Sequence, residues 1–213
     1  MSEAAAEVLA AALALQRMRL TPGTSGNVSR RVEAGFVVTP SGIPYDALAA
    51  GDMVTLDLAG RVVAGSHEPS SEAPFHAAIY RSRPEAGAIV HTHSPRATAL
   101  SCARQGIPAF HYMVAQAGGP DIPCADYATF GTDALADAAV RALEGRRATL
   151  LANHGVIALG PTCAAALALA AEVENLAGQY LDLLASGLSP VILDAEEMGR
   201  VLARFATYGQ RAR

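Results

Sequence analysis

Apolar residues recur at helical spacing through Val8, Leu9, Leu13 and Met18 and predict a first helix over residues 2–20, which Thr21-Pro22-Gly23 terminates. A loop rich in glycine and hydroxyls, Gly23-Thr24-Ser25-Gly26-Asn27-Val28-Ser29, then leads into a predicted strand. Residues 36–39 form a second strand, residues 45–48 a short helical piece, and residues 53–57 and 61–64 a hairpin joined across Ala59-Gly60. Pro69-Ser70-Ser71-Glu72 opens a helix, with a serine able to cap it and Pro74 tolerated in the first turn. The apolar run Ala88-Ile89-Val90 ends in His91-Thr92-His93 and reads as a central strand, followed by a helix from Pro95 to about Arg104. Residues 110–114 are strand-like, and Thr129-Phe130-Gly131-Thr132 introduces a helix through about Leu143. Residues 148–155 read as a buried strand ending on a histidine, with 156–159 continuing it. A long helix over 162–184 follows, and Asp194 and Glu197, spaced like a capping box, open the last helix. Antiparallel-looking strands among helices predict an α/β (α+β) fold, a central, mostly antiparallel sheet with helices on both faces. No repeat or linker divides the chain, so residues 1–213 are expected to form one domain.

Composition narrows the classes. With 51% hydrophobic and 17% charged residues the chain is globular, and no apolar run is long enough to cross a bilayer. The N-terminus carries acids where a secretory signal has a basic region, so a cytoplasmic location is expected. A net charge of −4 without a basic tract leaves no electrostatic footprint for nucleic acid. Cys102, Cys124 and Cys163 lack CxxC spacing and are expected to be buried thiols, not a disulfide framework or a cysteine zinc site.

The candidate chemistry lies in the histidines and the donor-rich turns. Alternate side chains of a strand leave on one face, so His91 and His93 point the same way. They are either two corners of a tetrahedral metal site, which needs further ligands, or two polar residues on an outward face. His154 is a plausible third ligand. Gly26-Asn27, Ser41-Gly42 and Ser70-Ser71 each place neutral donors in a turn or at a helix start, where an anion could bind; each also reads as an ordinary turn. Glu72 falls where the helix macrodipole favours an acid. His76 lies one turn further along the same face and is either packed or supports a site, while His67 reads as a surface residue and His111 as support for Tyr112.

Taken together, Gly-Thr-Ser-Gly-Asn at 23–27, Thr-Pro-Ser-Gly at 39–42, Pro-Ser-Ser-Glu at 69–72, His-x-His at 91–93 and Asn-His-Gly at 153–155 stand in an order and spacing that resembles the class II aldolase/adducin-like family. His-Tyr-Met at 111–113, Ile-Pro-Cys-Ala-x-Tyr-Ala-Thr-Phe-Gly-Thr at 122–132 and the closing Phe205-Ala-Thr-Tyr208-Gly are similar to its ketose-phosphate aldolases. The family's usual threonine of the second loop is Ser41 here, which keeps the hydroxyl.

The resemblance implies one zinc ion per subunit held by His91, His93 and His154, with Glu72 as fourth ligand or catalytic base and Tyr112 acting across a subunit contact. It implies a phosphate held by Gly26, Asn27, Ser41, Gly42, Ser70 and Ser71, an aldehyde side shaped by Phe130, Phe205 and Tyr208, and a homotetramer with sites at its interfaces. The implied reaction is reversible cleavage of L-fuculose 1-phosphate, or a related ketose 1-phosphate, to dihydroxyacetone phosphate and L-lactaldehyde. The chain contains no lysine, so imine catalysis is closed to it and a metal must supply the electrophile. Rival readings are an L-ribulose-5-phosphate 4-epimerase, a methylthioribulose-phosphate dehydratase or another deoxysugar-phosphate aldolase, and, outside catalysis, an adducin-like binding module.

Overall fold

In the computed structural model, which describes residues 2–207, Ser2 accepts a hydrogen bond from the Ala5 N–H and caps helix α1, Glu3–Arg17. The helix stops short of Leu20 because Arg19 turns into the left-handed region at φ 56°. Eight strands follow among the described residues: β1 Asn27–Val32, β2 Gly35–Val38, β3 Val54–Leu56, β4 Val62–Ala64, β5 Ala88–Thr92, β6 Cys124–Ala125, β7 Ala148–Leu151 and β8 Gly155–Gly160. They make one sheet in the order β4-β3-β2-β1-β5-β8-β7-β6. Every pairing is antiparallel except that of β6 with β7. The expected mostly antiparallel sheet with helices on both faces is thus the observed one.

Helices α2 (Ala73–Ser82) and α4 (Asp133–Ala142) cover one face of the sheet. Helices α1, α3 (Pro95–Cys102) and α5 (Cys163–Ala185) cover the other, with α6 (Ala195–Phe205) at the margin of that layer. The sequence of β5 explains why it is central. Ala88 and Val90 enter the α1/α3/α5 core while Ile89 enters the α2/α4 core, so the strand is apolar at successive positions. By the same alternation His91 leaves on the face that α2 covers. No helix among the described residues is long and apolar enough to cross a membrane.

Several local expectations need correction. The strand expected at 110–114 is instead a 3₁₀ helix, Tyr112–Ala117. His111 Nδ1 accepts the Met113 N–H at 3.2 Å and starts it, and Val114, Ala115 and Ala117 are buried. Five residues, four of them apolar, cannot distinguish the two periods. Residues 148–159 are not one strand but a hairpin, with Leu151 opposite Gly155 and Asn153 at φ 54° in its three-residue loop. The N-cap position of α2 is Glu72, whose side chain makes no capping bond; Ser70 Oγ instead accepts the Glu72 N–H at 3.3 Å. Only half of the capping box forms on α6, since Asp194 accepts the Glu197 N–H while the Glu197 carboxylate turns to Arg200. Of the three thiols only Cys163 is buried, and burial, with Glu7 nearby, pushes it up to about 12; Cys124 is half-buried and Cys102 exposed.

Gly155 lets β8 approach the end of β5. A Cβ there would lie 2.3 Å from the Thr92 carbonyl oxygen and 3.1 and 3.3 Å from His93 Cδ2 and His91 Cε1. Gly155→Ala is therefore expected to lose about 1–3 kcal/mol in urea unfolding with an unchanged slope. A midpoint equal to the parent's would contradict this close approach.

Candidate metal centre

Strand register sets the site. Asn27 on β1 pairs with His91 on β5, and His91 pairs in turn with Ile157 on β8. His91 is fully buried, and its Nδ1–H donates to the Val156 carbonyl at 2.8 Å. That bond fixes the tautomer and leaves a lone pair on Nε2. His93, one residue beyond β5, brings its Nε2 to 2.9 Å from that of His91. His154 comes from the β7–β8 loop, which the end of α3 clamps. Ser101 accepts the Asn153 N–H at 2.9 Å on its carbonyl and the His154 N–H at 3.3 Å on Oγ.

Glu72, at the start of α2 and 7% exposed, completes the group. Its Oε2 lies 3.0 Å from His91 Nε2 and its Oε1 3.1 Å from His154 Nε2. The second approach is not aligned as a hydrogen bond, so Oε1 is a buried carboxylate oxygen without a hydrogen-bond partner among the described residues. The four ligand atoms lie within 4.8 Å of one another. Burial by itself would raise the Glu72 carboxyl, but the neighbouring His91 and His154 imidazoles outweigh it and hold the group far below the carboxylate range. Burial, reinforced by His91 and His154 and opposed by Glu72, lowers His93 to about 4. An ionised carboxylate and neutral imidazoles are the forms that bind metal. An orphaned buried oxygen facing three imidazole nitrogens fits a divalent cation, and an N₃O donor set suits zinc.

Beside the group is a hollow of about 320 Å³. It brings together Glu72, His93 and His154 with all six residues expected at a phosphate, Gly26, Asn27, Ser41, Gly42, Ser70 and Ser71. Gly26 is required where it stands, since at φ 80° a Cβ would lie 2.7 Å from the His91 carbonyl oxygen. Phe130, 65% exposed, and Tyr127 stand at the rim. Tyr112 and Phe205 do not line this hollow. Their rings stack on each other at 6.3 Å and line a second hollow with Met113 and Arg204. Tyr208 lies outside the described residues. His111 stacks on Tyr112 at 4.9 Å, and His67 pairs with Asp52 at 3.2 Å. Sequence reasoning missed Tyr45, whose buried hydroxyl donates to the Gly26 carbonyl at 2.7 Å and holds the loop; a lone tyrosine in a short helical turn carries no signal of this.

The family described as Class II Aldolase and Adducin N-terminal domain matches residues 6–181. The 5-methylthioribulose-1-phosphate/5-deoxyribulose-1-phosphate aldolase of Rhodospirillum rubrum is 50% identical over 202 residues, covering 95% of this chain and 90% of that one. The L-fuculose phosphate aldolase of Escherichia coli K12 is 47% identical over 207 residues, covering 97% and 96%. A solved L-fuculose 1-phosphate aldolase superposes with a TM-score of 0.93 at 40% identity, covering 97% of each chain. The chain belongs to the class II aldolase and adducin N-terminal domain family, and within it to the aldolases, which are lyases.

Proposed function

We propose that this chain is a zinc-dependent aldolase that reversibly cleaves L-fuculose 1-phosphate, or a closely related ketose 1-phosphate, to dihydroxyacetone phosphate and L-lactaldehyde. The observation that carries the reading is one hollow in which three imidazoles and a buried carboxylate meet a wall of neutral donors. A second reading has specific support. The relative at 50% identity is named for 5-methylthioribulose 1-phosphate and 5-deoxyribulose 1-phosphate, whose cleavage shares the phosphorylated half and differs in the aldehyde.

His91, His93, His154 and Glu72 would hold the metal. When bound there, it supplies a Lewis acid for the negative charge that carbon–carbon cleavage leaves on the ketone side of the substrate. The hydroxyls of Ser41, Ser70 and Ser71 and the backbone at Gly26 and Gly42 would bind the phosphate, aided by the N-terminus of α2. Asn27 gives one Nδ2–H to Glu72 and keeps the second for the ligand. As the C3–C4 bond breaks, its electron pair would stay on C3 while the C4 hydroxyl gives up its proton, by way of Tyr112, to solvent; Glu72, released by the bound substrate and having taken a proton from water, would pass that proton to C3, and synthesis would reverse each transfer. Tyr112 is half-exposed and away from the hollow of its own chain, which supports its delivery by a neighbouring copy. We therefore propose a homotetramer with sites at its interfaces and an aldehyde side formed by Phe130, Phe205 and Tyr208. A single domain over residues 1–213 and a cytoplasmic location complete the reading.

A cleavage panel decides among the substrates. L-fuculose 1-phosphate is expected to release dihydroxyacetone phosphate, with activity lost to a chelator and restored by zinc. Faster cleavage of 5-methylthioribulose 1-phosphate moves the assignment to the second reading. Epimerisation of L-ribulose 5-phosphate without net cleavage overturns the aldolase assignment, and a protein that carries no divalent ion and ignores the chelator fits a binding module. Glu72→Gln should abolish proton exchange on dihydroxyacetone phosphate, whereas Tyr112→Phe should spare that exchange and slow cleavage by about 10²-fold or more. Equal loss of both steps in each variant contradicts this division of labour.

A further inference from the structure

Glu72, His76 and Tyr80 recur every four residues along α2, so three successive turns of the helix present a polar group on one face. Asn27 and Ser29 recur every two along β1 and meet them. The result is a continuous buried chain. Asn27 Nδ2 donates to Glu72 Oε2 at 2.9 Å, Asn27 Oδ1 lies 2.5 Å from His76 Nε2, His76 Nδ1 lies 2.7 Å from Ser29 Oγ, and Ser29 Oγ lies 2.9 Å from Tyr80 Oη. His76 and Ser29 are completely buried. Phe75 and Phe36 stack on the His76 ring at 4.7 and 6.3 Å, which fixes its plane.

Chemistry fixes the direction of every proton in this chain. An ionised Glu72 needs a donor, so the Asn27 amide must turn its nitrogen to the carboxylate and its oxygen to His76. His76 Nε2 must then carry the hydrogen. Burial, aided by His91, lowers His76 to about 3 and keeps the ring neutral, so Nδ1 accepts from the Ser29 hydroxyl, which accepts in turn from Tyr80. The opposite amide orientation would set the Asn27 oxygen against the carboxylate. Positions in the core between α2 and β1 are ordinarily apolar, and a polar chain there is tolerated when its groups are satisfied, as they are from Asn27 through His76 and Ser29 to Tyr80.

We propose that His76 is a positioning residue of the metal centre: by locking the orientation of the Asn27 amide it aims the Glu72 carboxylate at the shared focus of His91, His93 and His154. The inference rests on the reading of that group as a metal site. His76 touches neither the ligand atoms nor the hollow. A network that only pins α2 to β1 would affect stability and leave the ion's affinity unchanged.

The test measures zinc affinity of metal-stripped protein by competition with a chromophoric chelator, alongside thermal unfolding of the same samples. His76→Phe is expected to weaken zinc binding by about 10- to 100-fold, the range for groups that orient metal ligands, and Asn27→Ala by a similar factor. Because both act through one hydrogen bond to Glu72, the double variant should bind no more weakly than the weaker single variant. Ser29→Ala, which keeps the ring and removes its Nδ1 partner, should weaken binding by about 3- to 10-fold, again with no further effect when Asn27 is alanine. It carries the test if His76→Phe does not fold. Zinc binding equal to the parent's in the folded variants, or losses that multiply in the double variant, overturns the inference. A parent protein that binds no zinc overturns the metal reading itself, which is a different outcome.

Discussion

Everything at this site depends on a buried carboxylate. Glu72 is almost fully removed from water, and an isolated anion in such a place costs several kcal/mol. The fold offsets only part of that cost, with one hydrogen bond from the Asn27 amide at 2.9 Å, and it sets the His91 and His154 ring nitrogens 3.0 and 3.1 Å from the two carboxylate oxygens. What remains is an oxygen turned toward three rings with no hydrogen-bond partner among the described residues. A divalent ion would satisfy all of these groups at once, which is why the arrangement is read as a centre and not as a cluster of core histidines.

The sheet exists at this point to make that convergence possible. The antiparallel register aligns Asn27, His91 and Ile157 in a row, and Gly26 and Gly155 are bare of side chains where the β1 and β8 ends press against β5. His154 arrives on a hairpin loop that requires a left-handed residue, and Asn153 takes that conformation at lower cost than most residues would. The two cores on either side of the sheet make β5 rigid, so a Cβ at Gly155 would disturb ligands and packing together.

Much of this was legible in the chain, for identifiable reasons. The alternation rule alone placed His91 and His93 on one face, and the order of short motifs gathered His154, Glu72 and the neutral donors to the same place. What was not legible depended on contacts remote in sequence. Residues 110–114 look like a strand because four apolar positions in five fit either period, and the choice is made by His111 capping the turn and by packing against α5 and α6. The 148–159 run hid a hairpin because strands covered on both faces lack alternation, so only the Asn-His-Gly loop marked the reversal. Ser29 and Tyr80 gave no signal, since each is an ordinary residue until its partner is known.

The lack of positive charge in the hollow has a mechanistic sense. Among the described residues no arginine lines it. Arg31 instead donates to the Tyr80, Arg83 and Ala86 carbonyls, Arg30 to that of Gly87, and Arg83 to those of Leu143 and Arg146 after α4. If the hollow holds a phosphate as proposed, a guanidinium there would bind it equally in the ground and transition states and tighten binding without speeding the chemistry. On that reading neutral donors would fix the phosphate's position. A divalent ion held at the focus of His91, His93, His154 and Glu72 would then supply the strong positive charge at the place where negative charge develops as the carbon–carbon bond breaks.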